Sequence, residues 1–256
     1  MKFNKILLDL DGTVYIDGRI IADVDIEIRR LSKSGIKFHY MTNNTSVSSR
    51  TYYQKLAGLG LPCEADSLIS PSLVLSSWIT QNYVERVFLL GSEDFCGEVI
   101  RNTGIDNTAN DPECVIIAFD KELTYRKLEI ACSLINQGIP YYITHIDMAC
   151  PTEAGPIPDC GAISLLIESV TKVKPAGHFG KPGSFMLEFL SRKIIKNNER
   201  IAVAGDRLYT DSLMGEKLGA YTVLVCTGEF KRSDPYESAQ VHVYDDLSSF
   251  LRLLAG

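Results

Sequence analysis

The sequence predicts an α/β protein, built on a parallel-sheet core into which a second, smaller α/β domain is inserted. Short apolar runs alternate with helical patterns along most of its 256 residues. These runs are continuous rather than alternating, which is typical of strands that are covered on both faces. The predicted strands share this apolar character and occupy residues 5–10, 36–42, 86–90, 115–119, 141–144, 201–204 and 221–225.

The first two strands are joined by a segment with helical periodicity. Val24, Ile28 and Leu31 recur at helical spacing, and Gly35 is expected to end the helix as a C-terminal cap. Such a strand–helix–strand unit favours parallel pairing with a right-handed crossover.

Two changes in composition predict where the inserted domain begins and ends. A polar, Ser-rich stretch spans residues 67–77, and a cluster of Pro and Gly spans residues 174–183. Between them the chain has strands and helices of its own. We therefore expect a core formed by residues 1–72 and 180–256, and an α/β cap domain formed by residues 73–179.

Composition and charge narrow the range of partners. The net charge is −6 and no basic block offsets it, which argues against nucleic acid. No apolar run approaches the roughly 20 residues that span a bilayer. The seven cysteines show no CxxC spacing, which is typical of reduced thiols rather than of a disulfide framework. A cytoplasmic protein without a nucleic-acid or membrane partner is predicted.

Polar residues that could take part in catalysis or binding follow the predicted strands of the core. Ligands of open parallel sheets bind outside the carboxyl ends of the strands, so these residues are expected to share one edge. Two carboxylates at the end of a buried strand are costly to desolvate, which favours a neighbouring cation or a chemical role. The residues are Asp9, Asp11, Thr42, Asn43, Asn44, Asp206 and Asp211, together with Lys181 in the turn before the helix predicted at 184–196.

This set of side chains suits phosphoryl transfer. Carboxylate oxygens favour a hard cation such as Mg²⁺. Thr42 and Asn43 can donate hydrogen bonds to phosphate oxygens, and Lys181 can act as a point charge. With Mg²⁺ and Lys181 neutralising the site, a phosphate dianion could approach a carboxylate.

Each of these residues also has a purely structural interpretation. An aspartate after a strand is usually a turn or cap residue, and Asp211 could be the N-cap of a helix predicted at 212–218. A Thr-Asn-Asn sequence is commonly an ordinary turn, and an isolated lysine is commonly a solvated charge. His145 follows an apolar strand, where a hydrogen-bonded structural histidine is the favoured interpretation.

Four motifs stand in order along the chain, and with them it resembles the haloacid dehalogenase superfamily of phosphotransferases. They are Asp9-Leu10-Asp11-Gly12-Thr13, Thr42, Lys181, and Gly205-Asp206 with Asp211. Four stretches resemble the NagD-like and p-nitrophenylphosphatase branch, whose cap lies between the second and third motifs. They are Thr42-Asn43-Asn44-Thr45, residues 150–159, Gly180-Lys181-Pro182, and residues 205–211.

The resemblance implies a role for each motif residue. Asp9 would be the nucleophile that forms an aspartyl-phosphate, and Asp11 the general acid and base. Asp9, the main-chain carbonyl of Asp11, and Asp206 would hold Mg²⁺, with Asp211 just behind them or bonded through water. The phosphate would be bound by Thr42, Asn43, Asn44 and Lys181.

The resemblance further implies a Rossmann-like core whose cap closes over the site, and a small phosphomonoester as substrate. It is compatible with a homodimer. The chain departs from the branch at His145-Ile146-Asp147, where relatives commonly have Asn-Pro-Asp. Because the cap faces the leaving group there, His145 and Asp147 are candidate specificity residues.

Three other functions compete with a phosphatase. A receiver domain, acting as a phospho-aspartate switch, also pairs acidic residues with Thr and Lys, but the predicted cap and Asp11 disfavour it. A dehalogenase on the same fold needs neither the second aspartate nor Mg²⁺, so Asp11 disfavours it as well. A catalytically silent scaffold is disfavoured because every motif position is intact.

Overall fold

The computed structural model describes residues 2–64, 66–152, 154–236, 238 and 240–254. The chain forms two compact units. The first contains Met1–Thr42, Arg50–Ile69 and Leu187–Gly256, and the second contains Asn43–Ser49 and Ser70–Met186. Glu153, within the motif at residues 150–159, lies outside the described residues.

Strands and helices alternate along the chain, as the sequence predicts. The strands are β1 Lys5–Asp9, β2 Tyr15–Ile16, β3 Arg19–Ile20, β4 Lys37–Met41, β5 Leu68–Ile69, β6 Arg86–Leu90, β7 Asp106–Asn107, β8 Cys114–Ile117, β9 Tyr141–Ile143, β10 Ala149–Cys150, β11 Ile157–Pro158, β12 Ile201–Gly205, β13 Tyr221–Val225 and β14 Val241–Tyr244. The helices are α1 Val24–Lys33, α2 Ser49–Gly58, α3 Pro71–Gln81, α4 Glu93–Thr103, α5 Tyr125–Asn136, α6 Cys160–Thr171, α7 Ser184–Phe189, α8 Leu213–Lys217 and α9 Leu247–Leu253.

The first unit is built on a parallel sheet with the strand order β14-β13-β12-β1-β4-β5. Every residue of β1 and β12 is buried, which accounts for their continuous apolar sequences. Because β1 pairs with both β12 and β4, its last residue, Asp9, lies beside the carboxyl ends of two neighbouring strands. The predicted helix is α1, and Gly35 beyond its end has a φ of 95°, as a C-terminal cap requires.

The second unit contains a parallel sheet with the order β7-β6-β8-β9. Its core is formed by apolar side chains of these strands and of α5 and α6, among them Val115, Ile135 and Ile163. Trp78 packs within the same unit, with its ring 5.1 Å from that of Tyr142 and 5.5 Å from that of Phe179.

The structure thus confirms the predicted fold class, an α/β protein with a parallel-sheet core and a second α/β unit. The domain boundaries at residues 73 and 180 stay a prediction. None of the described helices has the length and apolar character needed to cross a membrane. All seven cysteines are free thiols.

Two predicted helices are shorter than expected and adjoin π-helical turns. Residues 184–196 form α7 followed by a π-helical turn at Leu190–Ile194, and α8 is preceded by another π-helical turn at Leu208–Ser212. The strands β5 and β14 at the two edges of the larger sheet were not predicted. β5 has only two residues, and β14 is only partly buried, so neither shows the continuous apolar run of a central strand.

His39 on β4 predicts how stability depends on pH. It is buried and its Nδ1 lies 3.1 Å from the carbonyl oxygen of Asp66, and burial lowers its pKa. The unfolded chain takes up the proton near pH 6.5, whereas the folded chain does so only at lower pH. The unfolded state therefore binds more protons in this window, and the contribution of His39 is complete above pH 6.5 and is lost as the pH falls.

We expect the free energy of unfolding of the wild type to fall more steeply below about pH 6.5 than that of His39→Gln, as measured by urea denaturation. His242→Gln, at an exposed position on β14, is the matched control. Parallel pH profiles for wild type and His39→Gln would contradict the assignment.

Candidate active site

Three buried aspartates converge in the first unit. Asp9 ends β1, Asp206 follows the last residue of β12, and Asp211 lies in the π-helical turn after it. Each offers a carboxylate oxygen within 4.8 Å of the others. The sequence predicts Asp9 and Asp206 at strand ends on one edge of the sheet, and the parallel pairing of β1 with β12 makes those two strands neighbours.

Glycines make this approach possible. A Cβ on Gly205 would lie 2.2 Å from Cγ of Asp211, and a Cβ on Gly228 would lie 1.9 Å from Oδ2 of Asp206. Gly12 has a φ of 88°, and a Cβ there would lie 2.6 Å from the same oxygen. Any larger residue at these three positions would displace a carboxylate, so the glycines are part of the site.

Main-chain and hydroxyl donors hold the carboxylates in place. The Glu229 amide donates to Oδ2 of Asp206 at 2.6 Å, and the Arg207 amide donates to Oδ2 of Asp211 at 3.3 Å. The Thr13 hydroxyl lies 3.4 Å from Oδ2 of Asp9. The residue before α8 is Ser212 rather than Asp211, so Asp211 does not occupy the predicted N-cap position.

Asp11 has a different environment, although it is only two residues from Asp9. Its side chain is half exposed and does not belong to the group of three carboxylates. The Tyr15 hydroxyl donates to its Oδ2 at 3.4 Å, and Nζ of Lys55 lies 3.8 Å from its Oδ1. Burial and the charge of Asp11 raise the pKa of Tyr15, which keeps the phenol protonated and able to donate.

Lys55 also contacts the Tyr15 ring, with Nζ 3.7 Å from the ring centroid. The Lys55 ammonium, the Tyr15 phenol and the Asp11 carboxylate are therefore in mutual contact. Sequence reasoning missed both partners of Asp11. Tyr15 is close in the chain and could have been considered, but Lys55 lies on α2 and has no local signal.

Thr42 follows β4 in the first unit, and its amide donates to the carbonyl oxygen of Ile69 at 3.1 Å. The chain enters the second unit at Asn43. There the Asn43 side chain accepts a hydrogen bond from the Lys181 amide at 2.8 Å and donates to the Lys181 carbonyl at 3.3 Å. Asn43 therefore fixes the main chain of Lys181, a role that the sequence did not predict.

Lys181 is itself buried, at 2% exposure, which is rare for a lysine and contradicts the interpretation as a solvated surface charge. Gly180 before it leaves room for Asn43, since a Cβ there would lie 2.6 Å from the Asn43 Oδ1. Asn44 turns the chain, because its Oδ1 accepts from the amide and the hydroxyl of Ser46 at 2.9 Å and 2.7 Å. This contact is that of an ordinary Asx turn.

His145 and Asp147 form a buried polar chain in the second unit. The ring nitrogens of His145 lie 3.4 Å from Oδ2 of Asp147 and 3.3 Å from Oδ1 of Asp159, and the ring is fully buried. Asn43 donates to Asp147 at 3.2 Å, and Asp159 accepts from the Cys160 amide at the start of α6. Burial between two carboxylates supports a structural role for His145, although neither ring nitrogen forms a hydrogen bond with the described residues.

The donor set of the first unit fits a hard divalent cation. Three buried carboxylates repel one another where water is largely excluded, and a cation between their oxygens would relieve this repulsion. The glycine contacts leave no room for larger side chains there. Oxygen ligands without a thiolate or imidazole favour Mg²⁺ over Zn²⁺.

Two family models match this chain. Residues 6–106 match a family model described as haloacid dehalogenase-like hydrolase, and residues 178–250 match one described as HAD-hydrolase-like. A solved structure, 4-nitrophenylphosphatase from Thermotoga maritima, is 31% identical and superposes with a TM-score of 0.92. The alignment covers 98% of this chain and 97% of that one.

Two curated proteins of Bacillus subtilis are similar over nearly the whole chain. The 5'-nucleotidase YutF is 27% identical, with 96% of each chain covered. The sugar-phosphatase AraL is 26% identical, with 97% of this chain and 92% of AraL covered. Together with the solved structures, these matches confirm the predicted resemblance to the NagD-like and p-nitrophenylphosphatase branch.

The repulsion among the three carboxylates predicts how stability responds to a cation. We expect Asp9→Asn to raise the free energy of unfolding in EDTA by about 1 kcal/mol, because it removes one of three like charges within a few ångströms. With a divalent cation added, the wild type should become the more stable of the two, since only it keeps all three ligands.

Urea denaturation with and without the cation measures both effects. Asp17→Asn, at an exposed turn position, controls for the change in net charge. Equal or lower stability of Asp9→Asn in EDTA would contradict the electrostatic account.

Proposed function

We propose that this chain, a phosphatase that belongs to the haloacid dehalogenase-like hydrolase family, hydrolyses small phosphomonoesters with Mg²⁺ through a covalent aspartyl-phosphate on Asp9. The observation that carries the proposal is the group of three buried carboxylates formed by Asp9, Asp206 and Asp211. Asp9 and Asp206, with the main-chain carbonyl of Asp11, would hold the cation, and Asp211 would support them. When bound, Mg²⁺ would neutralise charge on the carboxylates and on the phosphate.

In the first step, an oxygen of Asp9 forms a bond to phosphorus while the bond from phosphorus to the ester oxygen breaks. Asp11 gives its proton to the departing oxygen. In the second step, a water attacks the phosphorus and loses a proton to Asp11. The bond between phosphorus and Asp9 breaks, which releases inorganic phosphate and restores both aspartates.

The two aspartates suit these different tasks because their environments differ. Asp9 is buried among carboxylates, where a bound cation would keep it ionised. Asp11 is half exposed and therefore accessible to a leaving group and to water. The Tyr15 hydroxyl and the Lys55 ammonium orient its carboxylate without placing it in the cation site.

Thr42, Asn43, Asn44 and Lys181 are proposed to bind the phosphate. The Asn43 side chain contacts both the amide and the carbonyl of Lys181. These contacts support a more specific role for Asn43, which is to orient the lysine. The Asn44 Oδ1 accepts from the Ser46 amide, so this residue would shape the loop as well as contact the phosphate.

The substrate class is proposed from the relatives. Their names identify a 5'-nucleotidase, a sugar phosphatase and a 4-nitrophenylphosphatase, all acting on small phosphate compounds. We propose that the second unit is the cap that selects among such substrates. A cytoplasmic location and a homodimer stay predictions.

Hydrolysis of p-nitrophenyl phosphate tests the proposal. We expect activity with Mg²⁺, loss of activity in EDTA, and recovery when Mg²⁺ is restored. Asp9→Asn should lower kcat by at least about 10⁴-fold, since an amide cannot replace the nucleophile.

Asp17→Asn is again the matched control, and a circular-dichroism spectrum should show that Asp9→Asn keeps the fold. Activity of the Asp9→Asn protein near that of the wild type would exclude the covalent mechanism. Hydrolysis at the same rate without Mg²⁺ would exclude a role for the cation in the reaction.

The role of Asp11 is tested by comparing two leaving groups. Asp11→Asn removes the proton donor, so we expect kcat to fall by about 10²–10⁴-fold for an alkyl phosphate. The first step with p-nitrophenyl phosphate should be much less affected, because nitrophenolate leaves without a proton. Rapid-quench measurement of the burst of nitrophenol, or of alcohol from the alkyl phosphate, gives the rate of the first step for each substrate. If Asp11→Asn lowered both rates equally, general-acid catalysis would be contradicted.

A further inference from the structure

The first unit contains a cleft of about 380 Å³ at the end of the sheet opposite the candidate active site. Lys5, at the start of β1, and Lys37, at the start of β4, both line it. Asp9 lies at the other end of β1, four residues or about 13 Å away along the strand. The cleft is therefore separate from the aspartates proposed to carry out catalysis.

Basic residues outnumber acidic ones in the lining, although the whole protein is acidic. The lining contains four lysines, Lys5, Lys37, Lys193 and Lys196, and two acidic residues, Glu64 and Asp66, while Glu199 pairs with Lys5 from outside it. Clustered ammonium groups repel one another in the absence of an anion. A concentration of one sign of charge within a concave site attracts ligands of the opposite sign.

Ion pairing inside the protein accounts for only part of this charge. Lys5 is buried and donates to Glu199 at 2.7 Å and to the carbonyl of Ile194, which leaves one of its three protons for a further acceptor. Lys37 and Lys193 form no ion pair with a carboxylate within the described ranges of the chain. Both remain available for an anion.

His39 adds a buried polar group to the lining. Its Nδ1 lies near the carbonyl of Asp66, whereas its Nε2 has no hydrogen-bond partner among the residues that the structure describes. Burial lowers its pKa, and the charges of Lys5 and Lys37 act in the same direction while Asp66 opposes them. An anion in the cleft would offset the two lysine charges.

We propose that this cleft binds the phosphate group of a small phosphorylated molecule. The ammonium groups of Lys37 and Lys193 would carry the contact, and Lys5 would supply its remaining proton. The volume exceeds what a phosphate needs and approaches that of small-molecule sites, and Phe38 and Pro62 in the lining offer an apolar surface to the rest of the ligand. The site is independent of the proposed catalytic function.

Pyrophosphate is a suitable probe, because it carries several charges and is small enough for the cleft. Titration at constant ionic strength in EDTA should perturb the His39 ring signals in a ¹³C–¹H spectrum and raise the pKa of His39. Lys37→Glu/Lys193→Glu should weaken binding by about tenfold or more, since two attractive charges become repulsive. Lys172→Glu/Lys174→Glu, with the same change in net charge on exposed positions of the second unit, should bind as the wild type does.

Lys181→Met separates this site from the proposed phosphate site. The His39 response should persist in this variant, whereas its loss would place the binding at Lys181 and overturn the proposal. Equal affinities in the two double variants, or an absence of any His39 response at millimolar pyrophosphate, would overturn it as well. The readout needs no turnover, so a failure here and a failure of the phosphatase proposal are distinguishable.

Discussion

The close approach of three buried carboxylates is the interaction on which the rest of the site depends. Their oxygens lie within 4.8 Å of one another, a separation at which like charges destabilise a folded chain. The fold tolerates it because glycines leave room at three positions and because main-chain amides donate to the carboxylates. Local stability is therefore given up at the candidate active site, in the way that active sites commonly trade stability for function.

The same constraint explains why two aspartates of one pentapeptide can differ. The buried position at the end of β1 belongs to Asp9, and the turn that follows carries Asp11 out of the carboxylate group. Three main-chain amides, those of Thr13, Val14 and Tyr15, donate to the Leu10 carbonyl and tighten this turn. Tyr15 is thereby brought back to Asp11, where its phenol and the Lys55 ammonium set the carboxylate's surroundings.

The sequence was informative where function and periodicity are local. Continuous apolar runs located all seven predicted strands, since burial on both faces leaves a direct pattern. The polarity of a parallel sheet then predicted Asp9 and Asp206 at one edge, and the observed pairing of β1 with β12 makes them neighbours. Contacts between distant parts of the chain escaped prediction: Asn43 and Lys181 are 138 residues apart, and Lys55 reaches Asp11 from another element. No local pattern encodes such pairs.

The polarity of the parallel sheet also gives its two ends opposite electrostatic characters. Crossover helices run antiparallel to the strands, so their positive amino ends lie at the carboxyl ends of the strands and their negative ends at the other edge. Basic residues at that other edge therefore help folding: Arg30 and Lys33 occupy the last turn of α1, and Ser32 near its end lines the cleft. A lysine next to a helix end at this edge thus has a structural reason to be there. Helix carbonyls are satisfied within a turn of the helix end, however, and Lys37 lies beyond α1 on β4. Its charge is not needed to end a helix, and this excess is what a bound anion would neutralise.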